Sequence, residues 1–177
     1  MNKISIRNAK FAKIGLQDLI NKIPKEQRKR MVEIGCYVGD STEIFSNNFE
    51  VVYAVDPWEN GYDDKDAASF QTPMSIVESQ FEELAIKQGN IIKNKMSSKK
   101  AVKLFDDNSL DFVYIDGLHT CEGVKEDIEL WLPKIKKGGF IGGHDYKNKH
   151  HPGVQPAVDE FKKPDFIFRD TSWLIKL

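Results

Sequence analysis

The chain has 177 residues, of which 40% are hydrophobic, 30% charged and 11% aromatic, and this composition excludes a disordered or low-complexity protein. A net charge of −1 excludes a polycation selected for nucleic acid, and two cysteines exclude a disulfide framework or a four-cysteine zinc site. No apolar run nears the roughly 20 residues of a membrane span, and the first residues lack the apolar centre of a signal peptide, so the expectation is one reduced, cytoplasmic domain over residues 1–177.

Residues 1–30 carry nine Lys/Arg against two Asp/Glu, and residues 31–90 carry two against twelve. Within an N-terminal helical segment (1–29), Phe11, Ile14, Leu19, Ile20 and Ile23 fall at rough helical spacing with lysines between them. They predict an amphipathic helix with a basic solvated face, ended by Pro24. Residues 30–35 and 50–56 are short runs rich in β-branched residues, read as buried strands. The helix-length stretch 40–49 between them opens with Asp40, Ser41 and Thr42, which completes a right-handed βαβ unit. Residues 57–73 are acidic and aperiodic, with Trp58, Tyr62 and Phe70 among the acids, and predict a surface excursion able to act as a lid.

Pro73, Val77, Phe81, Leu84 and Ala85 mark a helix ending near Gly89. A strand (90–95), a short helix from Ser97 or Ser98 to Phe105, and a strand (111–116) follow. A helix (122–132) with Val124, Ile128, Trp131 and Leu132 inward ends in a Lys-Lys-Gly-Gly turn, before a strand at 140–145. Val154, Ala157, Val158 and Phe161 define a last helix, and 165–177 reads as an antiparallel hairpin. Trp131 and Trp173 read as core. The fold class is α/β with a mostly parallel sheet.

Ligands of such a sheet gather beyond the carboxyl ends of its strands. Gly35 and Gly39 bracket a sharp strand-to-helix turn, but Tyr37 breaks the dinucleotide fingerprint. Asp56, 17 residues after Gly39, ends the next strand, where an acid can accept hydrogen bonds from ribose hydroxyls. These features indicate a nucleoside-containing ligand.

The segments VEIGCYVGDST, VVYAVDPW, DFVYIDGLHTCEGVKEDIELWLPKIKKGGFIGGHDY and HPGVQPAVDEF resemble successive motifs of class I S-adenosylmethionine-dependent methyltransferases. Over about residues 30–177 the chain is similar to their small-molecule branch, beside sugar O-methyltransferases and cephalosporin-hydroxylase-like proteins. The resemblance implies a Rossmann-like, doubly wound seven-stranded sheet with an antiparallel terminal strand. It implies S-adenosyl-L-methionine as cofactor, and as partner a small-molecule acceptor hydroxyl, such as a saccharide's, with a homodimer as an option. It places Glu33, Gly35, Tyr37, Gly39 and Ser41 around the methionine part, with Cys36 as a small filler in the same loop. Asp56 would bind the ribose, with Pro57 next to it; Trp58 would cover the adenine, and Met96 and Ser97 would frame its edge. Tyr37 departs from the family's middle glycine.

Asp116, His119, His144 and Asp145 arrive from two strand ends. Metal-dependent O-methyltransferases carry ligands at the positions of Asp116, His144 and Asp145, which implies Mg²⁺ or Mn²⁺ lowering the pKa of the acceptor hydroxyl. A metal-free alternative makes His119 or His144 the general base, and a third leaves Asp116 to contact only the cofactor and His144 to cap the strand end. His150 and His151 read as a loop feature, and Cys121 as a helix cap. Two other functions stand beside methyl transfer: a nicotinamide-dependent oxidoreductase and a non-catalytic nucleoside-binding domain. The basic segments 1–30 and 93–103 have few interleaved aromatics, which argues against a nucleic-acid acceptor.

Overall fold

The computed structural model describes residues 4, 5, 10–63, 70 and 72–177; the side chain of Phe11 and residues 64–69 and 71 of the expected lid lie outside the described set. Helix α1 (Lys10–Ile20) leads through a 3₁₀ turn to β1 (Arg30–Ile34), then α2 (Asp40–Ser46) and β2 (Val51–Asp56). Next come α3 (Met74–Gln88), β3 (Ile91–Lys95), α4 (Ser98–Ala101), β4 (Leu110–Ile115) and α5 (Cys121–Trp131). The chain closes with β5 (Ile135–Gly143), α6 (Val154–Phe161), β6 (Phe166–Ile167) and β7 (Trp173–Lys176). The sheet order is β3-β2-β1-β4-β5-β7-β6. The first five strands pair in parallel, whereas β7 is antiparallel to both β5 and β6. This is the Rossmann-like seven-stranded sheet that the family resemblance implied.

Strand periodicity explains the two layers of helices. Met31, Phe112, Tyr114, Phe140 and Leu174 face one side, where they pack with Leu16, Leu19 and Ile20 of α1 and Phe45 of α2. Their neighbours Val32, Val113, Ile115, Ile141 and Ile175 face the other side, against Val124, Ile128 and Trp131 of α5 and Val158 of α6. Both faces are covered, so these strands lack polar alternation. Trp131 and Trp173 are buried as expected. Among the described residues no helix is long and apolar enough to cross a membrane.

The largest boundary difference is in β5. β5 begins at Ile135 rather than at residue 140, because the expected Lys-Lys-Gly-Gly turn pairs with β4 as a bulge. Leu110 pairs with Ile135 and Phe112 with Phe140, and Gly138 takes φ +78° to absorb the extra residues.

Strand order reverses about β1, whose two neighbours β2 and β4 carry the chain in opposite directions, and a cleft opens there. Gly35 (φ +82°) lies at this point, and a Cβ on it would sit 1.9 Å from the Asp116 carbonyl oxygen. Gly89 (φ +74°) caps α3 with nothing within 4 Å of the same virtual atom. Gly35→Ala therefore combines a backbone clash with conformational strain and is expected to cost about 3 kcal/mol or more. Gly89→Ala carries the strain alone, about 1–2 kcal/mol. Urea unfolding of the two variants checks this; equal losses would refute the steric argument.

Candidate active site

A cavity of about 360 Å³ lies beyond the carboxyl ends of β1, β2, β4 and β5. At its β1–β2 end, Gly35, Cys36, Tyr37, Ser41, Asp56 and Pro57 form the wall. The Asp56 carboxylate organises this end. Its Oδ2 accepts the backbone N–H groups of Cys36 (2.9 Å) and Tyr37 (3.0 Å), and its Oδ1 accepts that of Trp58 (2.7 Å). Burial raises the Asp56 pKa, and the three N–H donors oppose that rise. Oδ1 accepts a single bond among the described residues, so a lone pair is left for a ligand hydroxyl. Tyr37 (φ 48°) and Trp58 (φ 47°) both adopt left-handed backbone, the conformation in which their N–H groups reach this carboxylate.

Several residues expected at the cofactor stand elsewhere. Trp58 is buried against Phe81, ring centroids 4.8 Å apart, and its indole N–H donates to the Tyr37 carbonyl at 2.9 Å. It supports the loop from beneath instead of covering a ligand. Glu33 is fully buried off the cavity wall and accepts the Thr42 hydroxyl at 2.5 Å, which fastens α2 to β1. Gly39 (φ +91°) makes the turn into α2 and packs near Leu84 and Phe81. Met96 packs on the core, and Ser97 is the N-cap of α4, so neither lines the cavity; the next residues, Ser98 and Lys99, do. Burial, then Glu33 and Asp56, push the Cys36 thiol well up, consistent with a filler and inconsistent with a nucleophile.

Beside Ser98 lies a residue with no motif to announce it. Asp127, on the buried face of α5, accepts the Ser98 hydroxyl, which in turn accepts the Trp131 indole N–H at 2.7 Å. Burial raises its pKa to about 6, against the Ser98 hydrogen bond, with Glu126 adding to the rise.

At the β4–β5 end, Asp116, His119, His144 and Asp145 do converge, joined by Asp63 and His151. His119 Nε2 is 3.2 Å from Asp145 Oδ2 and 3.6 Å from Asp116 Oδ1, while its Nδ1 lies 2.8 Å from Asp63 Oδ2. His144 Nδ1 is 3.1 Å from Asp145 Oδ1 and 3.6 Å from Asp116 Oδ1. Burial disfavours charge on His119, but Asp116, Asp145 and Asp63 outweigh it and push its pKa up to about 11. Burial likewise opposes charge on Asp145, and His119 and His144 reverse that, holding its carboxyl far below the usual range. The three carboxylates therefore favour the charged form of His119, which opposes its use as the general base of the metal-free alternative. Asp63 sits in the acidic excursion and His151 in a loop; in sequence both look like solvated polar residues.

Asp127 supplies a pH test. A carboxyl whose pKa is raised on folding binds its proton more tightly in the folded state, so its contribution to stability falls as pH rises between its unfolded value of 3.8 and about 6. The stability of the parent relative to Asp127→Asn is expected to fall across that window by up to about 3 kcal/mol and to be flat above it. Denaturant unfolding at pH 4, 5, 6 and 7 reads the difference directly, and a pH-independent difference contradicts the burial argument.

Residues 32–146 match a family of methyltransferase domains. The chain is similar to an uncharacterised protein of Acanthamoeba polyphaga mimivirus, 25% identical over 150 residues, covering 82% of this chain and 64% of that protein. An uncharacterised protein of Sinorhizobium fredii is 23% identical over 129 residues, covering 70% of this chain and 14% of the relative, so the chain spans less than two thirds of either. Among solved structures, a calicheamicin methyltransferase superposes with TM-score 0.70 at 13% identity, covering 93% of this chain and 77% of the other. An O-methyltransferase from Bacillus cereus in complex with S-adenosylhomocysteine gives 0.57 at 16%, covering 90% and 69%. These similarities to solved structures are of fold. With the family match spanning both strand-end clusters, the chain belongs to the methyltransferase-domain family.

Proposed function

We propose that residues 1–177 act as one catalytic domain that transfers the methyl group of S-adenosylmethionine to a hydroxyl of a small molecule, with a saccharide as the acceptor class. The observation that carries this reading is a single cavity with two chemically different ends: a glycine turn tied to Asp56, and a carboxylate–histidine cluster. The donor fits the first end. Gly35 allows close approach beside Cys36 and Tyr37, the remaining lone pair of Asp56 Oδ1 suits a ribose hydroxyl, and the Asp127–Ser98 pair suits an exocyclic amine. A neighbour in fold, an O-methyltransferase, was solved with S-adenosylhomocysteine, which supports the class of donor.

In methyl transfer the acceptor oxygen forms a bond to the methyl carbon as the carbon–sulfur bond breaks, and the sulfonium leaves as a neutral thioether. The hydroxyl proton must go to a base or to solvent. The protein's part is to align oxygen, carbon and sulfur and to ease loss of that proton; alignment alone supplies several kcal/mol. Acidic groups along the cavity favour a cationic donor.

The acceptor end fits a divalent ion. Asp116, His144 and Asp145 each offer one ligand atom within 4.8 Å of the others. Two carboxylates suit Mg²⁺ or Mn²⁺, and His144 shifts the balance toward Mn²⁺. Bound there, such an ion supplies Lewis acidity that lowers the pKa of a coordinated hydroxyl.

Calorimetry with S-adenosylhomocysteine, its analogue lacking the ribose hydroxyls, and NAD(H) tests the donor. The parent is expected to bind S-adenosylhomocysteine and not NAD(H). Loss of the hydroxyls is expected to weaken binding by about 1.5–3 kcal/mol in the parent and by much less in Asp56→Ala, because the acceptor is charged. No binding of S-adenosylhomocysteine would sink the reading. Turnover on a panel of saccharides is expected to vanish with a chelator and return with Mn²⁺ or Mg²⁺; full activity in chelator would instead favour His144 as base.

A further inference from the structure

A second ligand set shares Asp145 but uses its other oxygen. His119, Asp145 and His151 each offer one ligand atom within 4.8 Å of the others. Two loops bring them together: the β4–α5 connection carries His119, and the β5–α6 connection carries both Asp145 and His151. His119 Nε2 lies 3.2 Å from Asp145 Oδ2, and His151 Nε2 lies 3.8 Å from the same oxygen. Both imidazoles therefore aim the same edge at one carboxylate oxygen, at the wall of the cavity.

Each ring is held by a different device. Asp63 Oδ2 lies 2.8 Å from His119 Nδ1 and accepts the His119 backbone N–H at 3.2 Å, which fixes that ring and leaves Nε2 toward Asp145. His151 stacks on His119 with centroids 3.9 Å apart and planes inclined by 30°. Among the described residues its Nδ1 has no hydrogen-bond partner, so stacking sets its orientation. A histidine with one nitrogen toward a metal and the other on a carboxylate is the usual outer-shell arrangement of protein metal sites.

We propose that His119 Nε2, His151 Nε2 and Asp145 Oδ2 form a position for a first-row transition metal, with Asp63 as its outer-shell carboxylate, separate from the Asp116–His144–Asp145 set. Two imidazoles and one carboxylate select Mn²⁺, Fe²⁺, Co²⁺ or Zn²⁺ over Mg²⁺, which favours oxygen ligands. Binding displaces the proton on His119 Nε2, while Nδ1 keeps its proton and donates a hydrogen bond to Asp63 Oδ2. Metal binding here stands on geometry; only its service to an acceptor hydroxyl rests on the proposed methyl transfer. In that use His119 is a ligand and not a base, and the loop carrying Asp63 becomes part of the metal centre.

The test uses the full chain stripped of metal, with Co²⁺ and Mg²⁺ as separate probes and S-adenosylhomocysteine affinity as an independent readout of fold and donor site. Co²⁺ is expected to bind with visible absorption bands and with shifted imidazole N–H resonances from coordinated histidine. His151→Ala and the bulkier His151→Gln are each expected to weaken Co²⁺ at least tenfold and to alter the bands, while Mg²⁺ and S-adenosylhomocysteine stay within twofold. Asp63→Asn, which keeps all three ligands, is expected to weaken Co²⁺ by about tenfold. Equal Co²⁺ affinity in the parent and both His151 variants overturns the proposal, as does Co²⁺ binding that depends on His144 but not on His151. Intact Co²⁺ binding with no affinity for S-adenosylhomocysteine would remove the methyl-transfer reading and leave this site standing.

Discussion

The Asp56 carboxylate joins two loops that the sheet alone leaves apart. Parallel strands β1 and β2 share their ladder only as far as Ile34 and Val55, and beyond it Cys36, Tyr37 and Trp58 have backbone N–H groups without strand partners. Buried donors of this kind need acceptors, and one ionised side chain satisfies three of them. The same bonds hold Tyr37 and Trp58 in left-handed backbone that neither residue would choose in isolation. Trp58 then closes the arrangement from below, through its indole bond to the Tyr37 carbonyl and its contact with Phe81 of α3. The shape of this end of the cavity thus depends on one carboxylate that gathers three backbone donors.

The opposite end of the cavity is organised by charge balance. Three carboxylates, those of Asp63, Asp116 and Asp145, surround the His119 ring in a partly dehydrated site. Such a concentration of negative charge is tolerable only with cations among it. In the protein alone the imidazolium of His119 provides one. A divalent ion would provide more, and the donor atoms that surround His119 are those that ligate such ions.

Most of the framework was legible from residue pattern. Short β-branched runs, helix caps and glycine turns located every strand, and the alternation of buried neighbours such as Met31 and Val32 follows from strands covered on both faces. The start of β5 was not legible, because Lys136–Gly139 has turn composition and pairs only by way of a bulge. At the site, the strand-end positions were readable and the aim of individual side chains was not. Trp58 points inward because a left-handed residue reverses the chain there. Ser98, one of the two helix starts the sequence offered, lines the cavity in place of Met96 and Ser97. Asp63 and Asp127 were not singled out, and His151 was read as a loop feature, for a common reason: each reaches the cavity by long-range packing, with nothing local to distinguish it from a surface polar residue.

His144 and Asp145 are consecutive, yet both address the same cluster, although neighbours in an extended strand point to opposite faces. The strand has ended at Gly143, and Asp145 has φ 61°, which swings its side chain round to join that of His144. That conformation narrows the residues admissible at position 145. Asparagine, aspartate and glycine occupy it most readily, and of these only aspartate is anionic. A glutamate would keep the charge but sit less readily in the turn and overreach by a methylene; an asparagine would keep the turn but lose the charge. Backbone handedness and electrostatics therefore act as two independent filters on a single codon, and their intersection is the residue found there.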